Sequence, residues 1–228
     1  MNQGIRRHAR ENGLGLFFGL LLLVAVAGQA VAGWKDFNLD QLEHHADPVS
    51  LGRYVTSSHF GAALMENWQS EYLQFALFVL ATIWLVQRGS PESKELGREG
   101  RESEADQKLG PHAEPESPRW ARARGVRRWL YSNSLLLVMG TIWIATWFAQ
   151  SVTSHVSYNA EQIDHQQAPV SYLSYLGSAD FWERTLQNWQ SEFLAVGSFA
   201  VLAVYLRQRG SPESKPVGAT HDATGVEG

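Results

Sequence analysis

The residues with the greatest chemical potential in this sequence are two carboxylates set beside apolar runs. Glu71 follows Asn67-Trp68-Gln69-Ser70 and precedes the run Tyr72 to Val86; Glu192 follows Asn188-Trp189-Gln190-Ser191 and precedes Phe193 to Leu206. A charged carboxylate costs roughly 3 kcal/mol at a bilayer centre and less near the interface, so such a group requires a hydrogen-bonding partner, a cation or a proton. Helical spacing offers partners: Asn67 and Asn188 each stand one turn before their Glu on the same face. Gln29 and Gln150 are polar residues within the two other long apolar runs. Counted from the inner ends of Leu14 to Ala32 and of Tyr72 to Val86, Gln29 and Glu71 share a depth of about 22 Å. The six residues Gln29, Asn67, Glu71, Gln150, Asn188 and Glu192 therefore form a candidate polar layer.

Three roles are open to that layer. Hydrogen-bonded glue between helices is the plainest; the handling of protons or cations is the second, and simple exposure at the interface the third. Should Glu71 and Glu192 face one another, they titrate as a coupled pair.

Other reactive constellations are sparse. His44, His45 and His59 lie near Glu43, and His155 and His165 near Asp164, a mixture able to ligate zinc or copper. No His-x-x-x-His spacing is present and only His44 recurs as His165, so no metal is expected. The chain has no cysteine, which removes thiolate chemistry and disulfides. There is no Gly-x-Ser-x-Gly elbow and no phosphate-binding glycine loop. No catalytic residue and no cofactor are expected, and an enzyme is not the expectation. A formal net charge of −4 with pI near 6.1 excludes a strongly basic nucleic-acid binder.

The elements that must position the polar layer are apolar helices. Whole-chain mean hydropathy, −0.23, conceals them by averaging apolar runs with charged connectors. Leu14 to Ala32, Tyr72 to Val86, Leu135 to Val152 and Phe193 to Leu206 are nearly charge-free and read as four membrane spans. Nine Trp suit an interfacial aromatic belt. Ser57 or Ser58, and Ser178 or Asp180, are suitable N-caps for the second and fourth helices. Gly89 and Gly210 suit left-handed C-caps, and Pro91 and Pro212 forbid helix continuation.

Much of the chain is written twice. Arg6 to Lys94 aligns without a gap on Arg127 to Lys215, an offset of 121 residues, with roughly a third of the positions identical. The shared letters include Asn38 with Asn159, His44 with His165, Pro48-Val49-Ser50 with Pro169-Val170-Ser171, Tyr54 with Tyr175 and Phe60 with Phe181. The flanking stretches Asn67 to Glu71 and Gln87 to Lys94 recur almost letter for letter. Arg6, Arg7 and Arg10 before an apolar run resemble a secretory leader, with Ala25 and Ala27 as small residues. Because that run recurs internally, a retained span is expected instead.

Two spans per copy make both copies enter the membrane in the same direction, related by an axis along the membrane normal. All but three of the nineteen Lys and Arg lie in the N-terminus, the central connector and the C-terminal tail. The positive-inside rule then places both termini and that connector in the cytoplasm. The expected organisation is a first hairpin repeat over 1–94, a disordered charged cytoplasmic linker over 95–126, a second hairpin repeat over 127–215 and a disordered tail over 216–228. Arg119, Arg122, Arg124, Arg127 and Arg128, interleaved with Trp120 and Trp129, suit contact with anionic lipid. Gly15 and Gly19 form a weak small-residue pattern that would permit a homo-oligomer.

At Asn67 to Glu71, at Pro48-Val49-Ser50 with Tyr54, and at Arg88-Gly89-Ser90-Pro91-Glu92-Ser93-Lys94, the chain resembles a family of bacterial membrane proteins known only as a domain of unknown function. The resemblance covers both repeats. It implies a bacterial inner (cytoplasmic) membrane location and brings no substrate, cofactor or catalytic residue. The expected fold is all-α: an integral membrane four-helix bundle built from two tandem, parallel two-helix hairpins. The expected role is structural or accessory, with a small transporter or channel for protons or cations acting through Glu71 and Glu192 as the alternative.

Overall fold

The computed structural model describes residues 3–228, except for the side chains of Gln3, Ile5, Arg6 and His8. Of the basic N-terminal residues named above, Arg6 thus has its side chain outside the described residues. The described chain is all-helical: α1 (Gln3–Glu11), α2 (Gly13–Glu43), α3 (Leu51–Val55), α4 (Ser58–Ala81), α5 (Val126–Ser132), α6 (Ser134–Asp164), α7 (Tyr172–Leu176) and α8 (Ala179–Tyr205). Short 3-10 turns at Gly110–His112 and Arg119–Arg122 interrupt the segment between α4 and α5. Two of the helices, α2 and α6, each of 31 residues, are long and apolar enough to cross a membrane. The bounds of α2 and α6, of α3 and α7, and the starts of α4 and α8 differ by the same 121 residues as the aligned sequence.

The chain divides into two compact units: Met1–Leu64 with Ser151–Tyr172, and Met65–Gln150 with Leu173–Gly228. In the first unit, Asn38 on α2 clamps the strand-like residue Val49. Its Nδ2 donates to the Val49 carbonyl at 3.0 Å and its Oδ1 accepts from the Val49 N–H at 2.8 Å, while Trp34 Nε1 donates to the same carbonyl at 2.7 Å. Asn159 on α6 repeats the clamp on Val170, at 3.0 and 2.9 Å, with His155 Nε2 2.9 Å from that carbonyl in place of the indole. An amide side chain matches a backbone amide donor for acceptor, so one Asn satisfies both groups of a loop residue that no helix can. The doubled Pro-Val-Ser thus has a structural reason: the Val is clamped, and Ser50 accepts from Arg53 N–H as the N-cap of α3.

The clamp turns α3 back beneath α2. Tyr54 is buried there, among Phe37, His59 and Phe60. Gly33 makes the approach feasible, because a Cβ at that position would collide with the Tyr54 hydroxyl.

Helix ends follow local chemistry. Ser57 Oγ accepts from Phe60 N–H at the start of α4, and Ser178 Oγ from Phe181 N–H at the start of α8. Of the two candidates in the second copy, Ser178 is the cap; Asp180 instead receives the Tyr175 hydroxyl and Arg184. Beyond α2, His45 adopts φ 60°, and Ala46 N–H reaches back to the Gln41 carbonyl at 2.7 Å; beyond α6, Gln166 at φ 58° precedes the same bond from Gln167 to Gln162. These are left-handed caps made without glycine. A Cβ in that conformation costs roughly 1–2 kcal/mol. His45→Gly and Gln166→Gly are each expected to raise stability by about 1 kcal/mol in thermal unfolding of detergent-solubilised protein.

The apolar run expected to form a second span ends its helix early. Helix α4 stops at Ala81, five residues short of Val86, as Thr82 Oγ1 bonds back to the Phe78 and Val79 carbonyls and Ile83 and Trp84 form tight turns. Apolar composition continues through Val86, so it does not mark the end. The shared-depth count for Glu71 began at Val86 and loses its origin. Gly89 and Gly210 do take left-handed backbone, at φ 87° and 82°, but in separate turns closed by Ser90 N–H to Gln87 O and Ser211 N–H to Gln208 O, beyond the helix ends.

Candidate functional site

In the second unit the two Asn-Trp-Gln-Ser-Glu stretches meet. On α4, Gln69 and Ser70 are the buried pair, at 0% and 1% exposure. Gln69 Oε1 accepts from Trp189 Nε1 at 2.9 Å, and its Nε2 donates to the Glu66 carbonyl at 3.2 Å. Ser70 Oγ lies 3.3 Å from Glu192 Oε1 and 2.9 Å from the Asn67 carbonyl. Each copy thus contributes different members of the same motif: Gln and Ser from the first, Trp and Glu from the second.

Among the six residues of the candidate layer, Gln150 on α6 is fully buried, Asn188 and Glu192 on α8 are half-buried, and Asn67 and Glu71 on α4 are exposed. Asn188 Nδ2 donates to the Arg184 carbonyl at 2.8 Å. Glu71 lies within electrostatic reach of Glu192. Gln29, half-buried on α2, belongs to the first unit. The residues that tie the helices together, Gln69, Ser70 and Trp189, were not singled out by charge. The available signal was spacing: Gln69, Leu73 and Ala76 are all buried and fall four and three residues apart, one face of a helix.

Around this contact stands an aromatic cluster. Trp143 stacks on Trp147 at 5.8 Å between centroids, and Trp147 reaches Phe181, Trp182 and Trp189 at 6.3, 6.2 and 5.7 Å. Four of the nine tryptophans therefore pack on one another, each pair adding roughly 0.5–1.5 kcal/mol beyond its burial. Nearby, Arg184 joins Asp180 at 3.1 Å and Glu66 at 3.7 Å.

The recurrent Gln-Arg-Gly-Ser-Pro-Glu-Ser-Lys end is a folded knot. Ser93 Oγ accepts from Gln87 N–H, and Ser214 Oγ from Gln208 N–H, both at 2.9 Å. Lys94 Nζ donates to the Gly100 carbonyl and pairs with Glu102; Lys215, 1% exposed, donates to the carbonyls of Thr220, His221 and Ala223. Glu92 and Glu213, the same letter of the two copies, are hydrogen-bonded. Burial first, then that bond and the charges of Glu213 and Glu227, push the Glu92 carboxyl up to about 7. A carboxyl raised on folding stabilises fully below its unfolded value near 4.5, and the contribution fades as pH rises through about 7. Glu92→Gln is expected to remove this dependence: the variant should gain on wild type in melting temperature between pH 5 and pH 8, with little difference at the acid end.

Of the basic residues, Arg128 is engaged with Glu104 at 2.9 Å and Arg122 with the Pro115 and Glu114 carbonyls, leaving Arg119, Arg124 and Arg127 exposed beside exposed Trp120 and Trp129. The histidines separate in kind. His155 serves the Val170 clamp, whereas His44, His59 and His165 line one cleft of the first unit. Among the described residues, no three His, Asp or Glu side chains stand grouped to hold a metal ion.

Comparison with the curated proteins and with the solved structures gives no match. A sequence profile for a domain of unknown function, DUF6766, matches residues 5–226. With nearly its whole length so matched, the chain belongs to the DUF6766 family.

Proposed function

We propose that this chain is a non-enzymatic, multi-pass protein of the bacterial inner membrane, structural or accessory in role, built from two tandem two-helix hairpins. The observation that carries the reading is its inverted burial. Every residue from Gly13 to Ala25 on α2 is exposed, as are Leu135, Val138, Ile144 and Phe148 on α6, while Thr146, Gln150 and Ser154 form a buried stripe four residues apart on α6. Water would drive the opposite arrangement; hydrocarbon tolerates an apolar exterior and favours hydrogen-bonding groups turned inward. The recurrence of element bounds at 121 residues supports the duplication. Helices α4 and α8 complete the hairpins by shielding their polar faces on one another. Exposed Arg119, Arg124 and Arg127 then contact anionic headgroups of the cytoplasmic leaflet. Carbonate-resistant retention in the membrane fraction tests the placement; release with the peripheral proteins contradicts it.

The nearness of Glu71 to Glu192 favours one second reading, a path for protons or cations. The two readings separate in liposomes. On the structural account, wild type carries no proton or cation flux, and the Glu71→Gln, Glu192→Gln double variant changes stability by less than about 1 kcal/mol, because Gln retains an acceptor for Ser70. A flux in wild type that this variant abolishes while still folded selects the transport reading.

A further inference from the structure

We infer that residues 216–228 are a proton-controlled latch, docked on the turn at 88–93 while Glu92 and Glu213 share a proton and released when that proton is lost. All of these residues belong to the second unit.

The seat is built to receive backbone. Gly89 N–H donates to Thr224 Oγ1 at 2.8 Å, Gly225 N–H donates to the Ser90 carbonyl at 3.0 Å, and Arg88 pairs with Asp222 at 3.4 Å. The near end of the segment is gripped by Lys215, through the carbonyls of Thr220, His221 and Ala223, and by Arg207, whose Nη2 donates to the Ala219 carbonyl at 3.1 Å. Gly89 stands at φ 87°, and a Cβ there would collide with the His221 carbonyl. At Gly210, its counterpart 121 residues on, a Cβ would meet nothing within 4 Å. The close approach is therefore particular to the first of the two recurrent turns.

The far end of the segment carries a carboxylate to the same place. Glu92 and Glu227 line one cleft of about 440 Å³ together with Lys94, Glu95, Arg98 and Glu102. Its cations are committed elsewhere: Lys94 pairs with Glu102 at 2.6 Å, and exposed Arg98 lies within electrostatic reach of Asp106. An ionised carboxylate only accepts, so the hydrogen bond between Glu92 and Glu213 needs one proton held between them. Without it, Glu92, Glu213 and Glu227 face one another as three negative charges. Glu92 and Glu213 are fixed in turns closed by Ser93 and Ser214, so Glu227 is the one that moves away.

The direction follows from linkage. Docked, the Glu92 carboxyl stands at about 7, through burial first and then Glu213 and Glu227; released, it falls back toward 4.5. Docking thus takes up protons, is supported fully at the acid end, and loses that support as pH rises through about 7.

The test places a nitroxide on Val226→Cys, an exposed position in a chain without cysteine, and follows its mobility by electron paramagnetic resonance on the full chain in detergent. The spectrum should pass from predominantly immobile at pH 5 to predominantly mobile at pH 8, either side of the Glu92 value near 7. Glu92→Gln should stay immobile at both, because the amide cannot ionise. Gly89→Ala should be mobile at both, because its Cβ occupies the seat. His221→Gln should keep the transition, which separates Glu92 from the one imidazole in the segment. A spectrum of the otherwise unaltered chain that does not change with pH, a transition that persists in Glu92→Gln, or one abolished by His221→Gln each overturns the assignment.

Discussion

Asn38→Ala should cost about 2 kcal/mol, and Asn159→Ala about the same, read as a fall in melting temperature of detergent-solubilised protein. Each substitution removes two backbone-directed hydrogen bonds at once, to the N–H and carbonyl of Val49 or of Val170. The Val49 carbonyl keeps a second donor, Trp34, but neither N–H group regains the Asn oxygen. An unmet, part-buried N–H accounts for most of the loss. Asn38→Asp is a sharper probe. It keeps an acceptor for the Val49 N–H yet sets a carboxylate oxygen against the Val49 carbonyl, so it should recover less than half of the loss. A loss confined to one copy would mean that the two clamps are not energetically equivalent.

Gln69→Leu and Trp189→Phe should each destabilise by about 1–3 kcal/mol, and the pair should be less damaging than their sum. Gln69 is wholly buried and its Oε1 receives the Trp189 indole N–H at 2.9 Å. Leucine in place of Gln69 leaves that N–H without its acceptor, and phenylalanine in place of Trp189 leaves Oε1 without its donor. With both changed, neither orphan exists, and the coupling energy of the double-mutant cycle should be about 1–2 kcal/mol. Additive effects would show that Gln69 and Trp189 act through separate contacts. Trp189→Ala is a poorer choice because it also removes a ring from the cluster around Trp147.

What was legible in the letters was local. Ser57 and Ser178 announced helix starts because a cap needs only a hydroxyl and the N–H three residues on. The apolar lengths of α2 and α6 were equally plain. What was not legible depended on which faces meet. Five successive residues, Asn67 to Glu71, cover every side of a helix, so the recurrence of all five cannot say which side turns inward. Charge drew attention to Glu71, which is exposed, while Gln69 and Ser70 are the buried members. The partner of Asn38 lay eleven residues away across a chain reversal, so the doubled Asn and Pro-Val-Ser were visible as repeats without a visible reason. The end of α4 was hidden for another cause: residues 82–86 are apolar enough to continue a span, and only the turn bonds after Ala81 reveal that they do not continue the helix.

The burial pattern also bears on why so few groups look reactive. Polar side chains turned inward among apolar helices here mostly find backbone carbonyls or each other: Thr146 bonds to Ile142 and Trp143, Ser70 to Asn67, Asn188 to Arg184. Such bonds stay within one helix, each side chain returning to a carbonyl of the preceding turn.

Because the chain has no cysteine, single cysteines can map the proposed four-span, same-side topology directly. Ser50→Cys, Glu104→Cys, Gln167→Cys and Asp222→Cys are labelled in intact and permeabilised cells with a maleimide that cannot cross the membrane. Four spans predict labelling of positions 50 and 167 from outside, and of 104 and 222 only after permeabilisation. If only α2 and α6 cross, positions 50 and 104 would label together from outside while 167 and 222 stayed protected, and that result would contradict the paired-hairpin architecture.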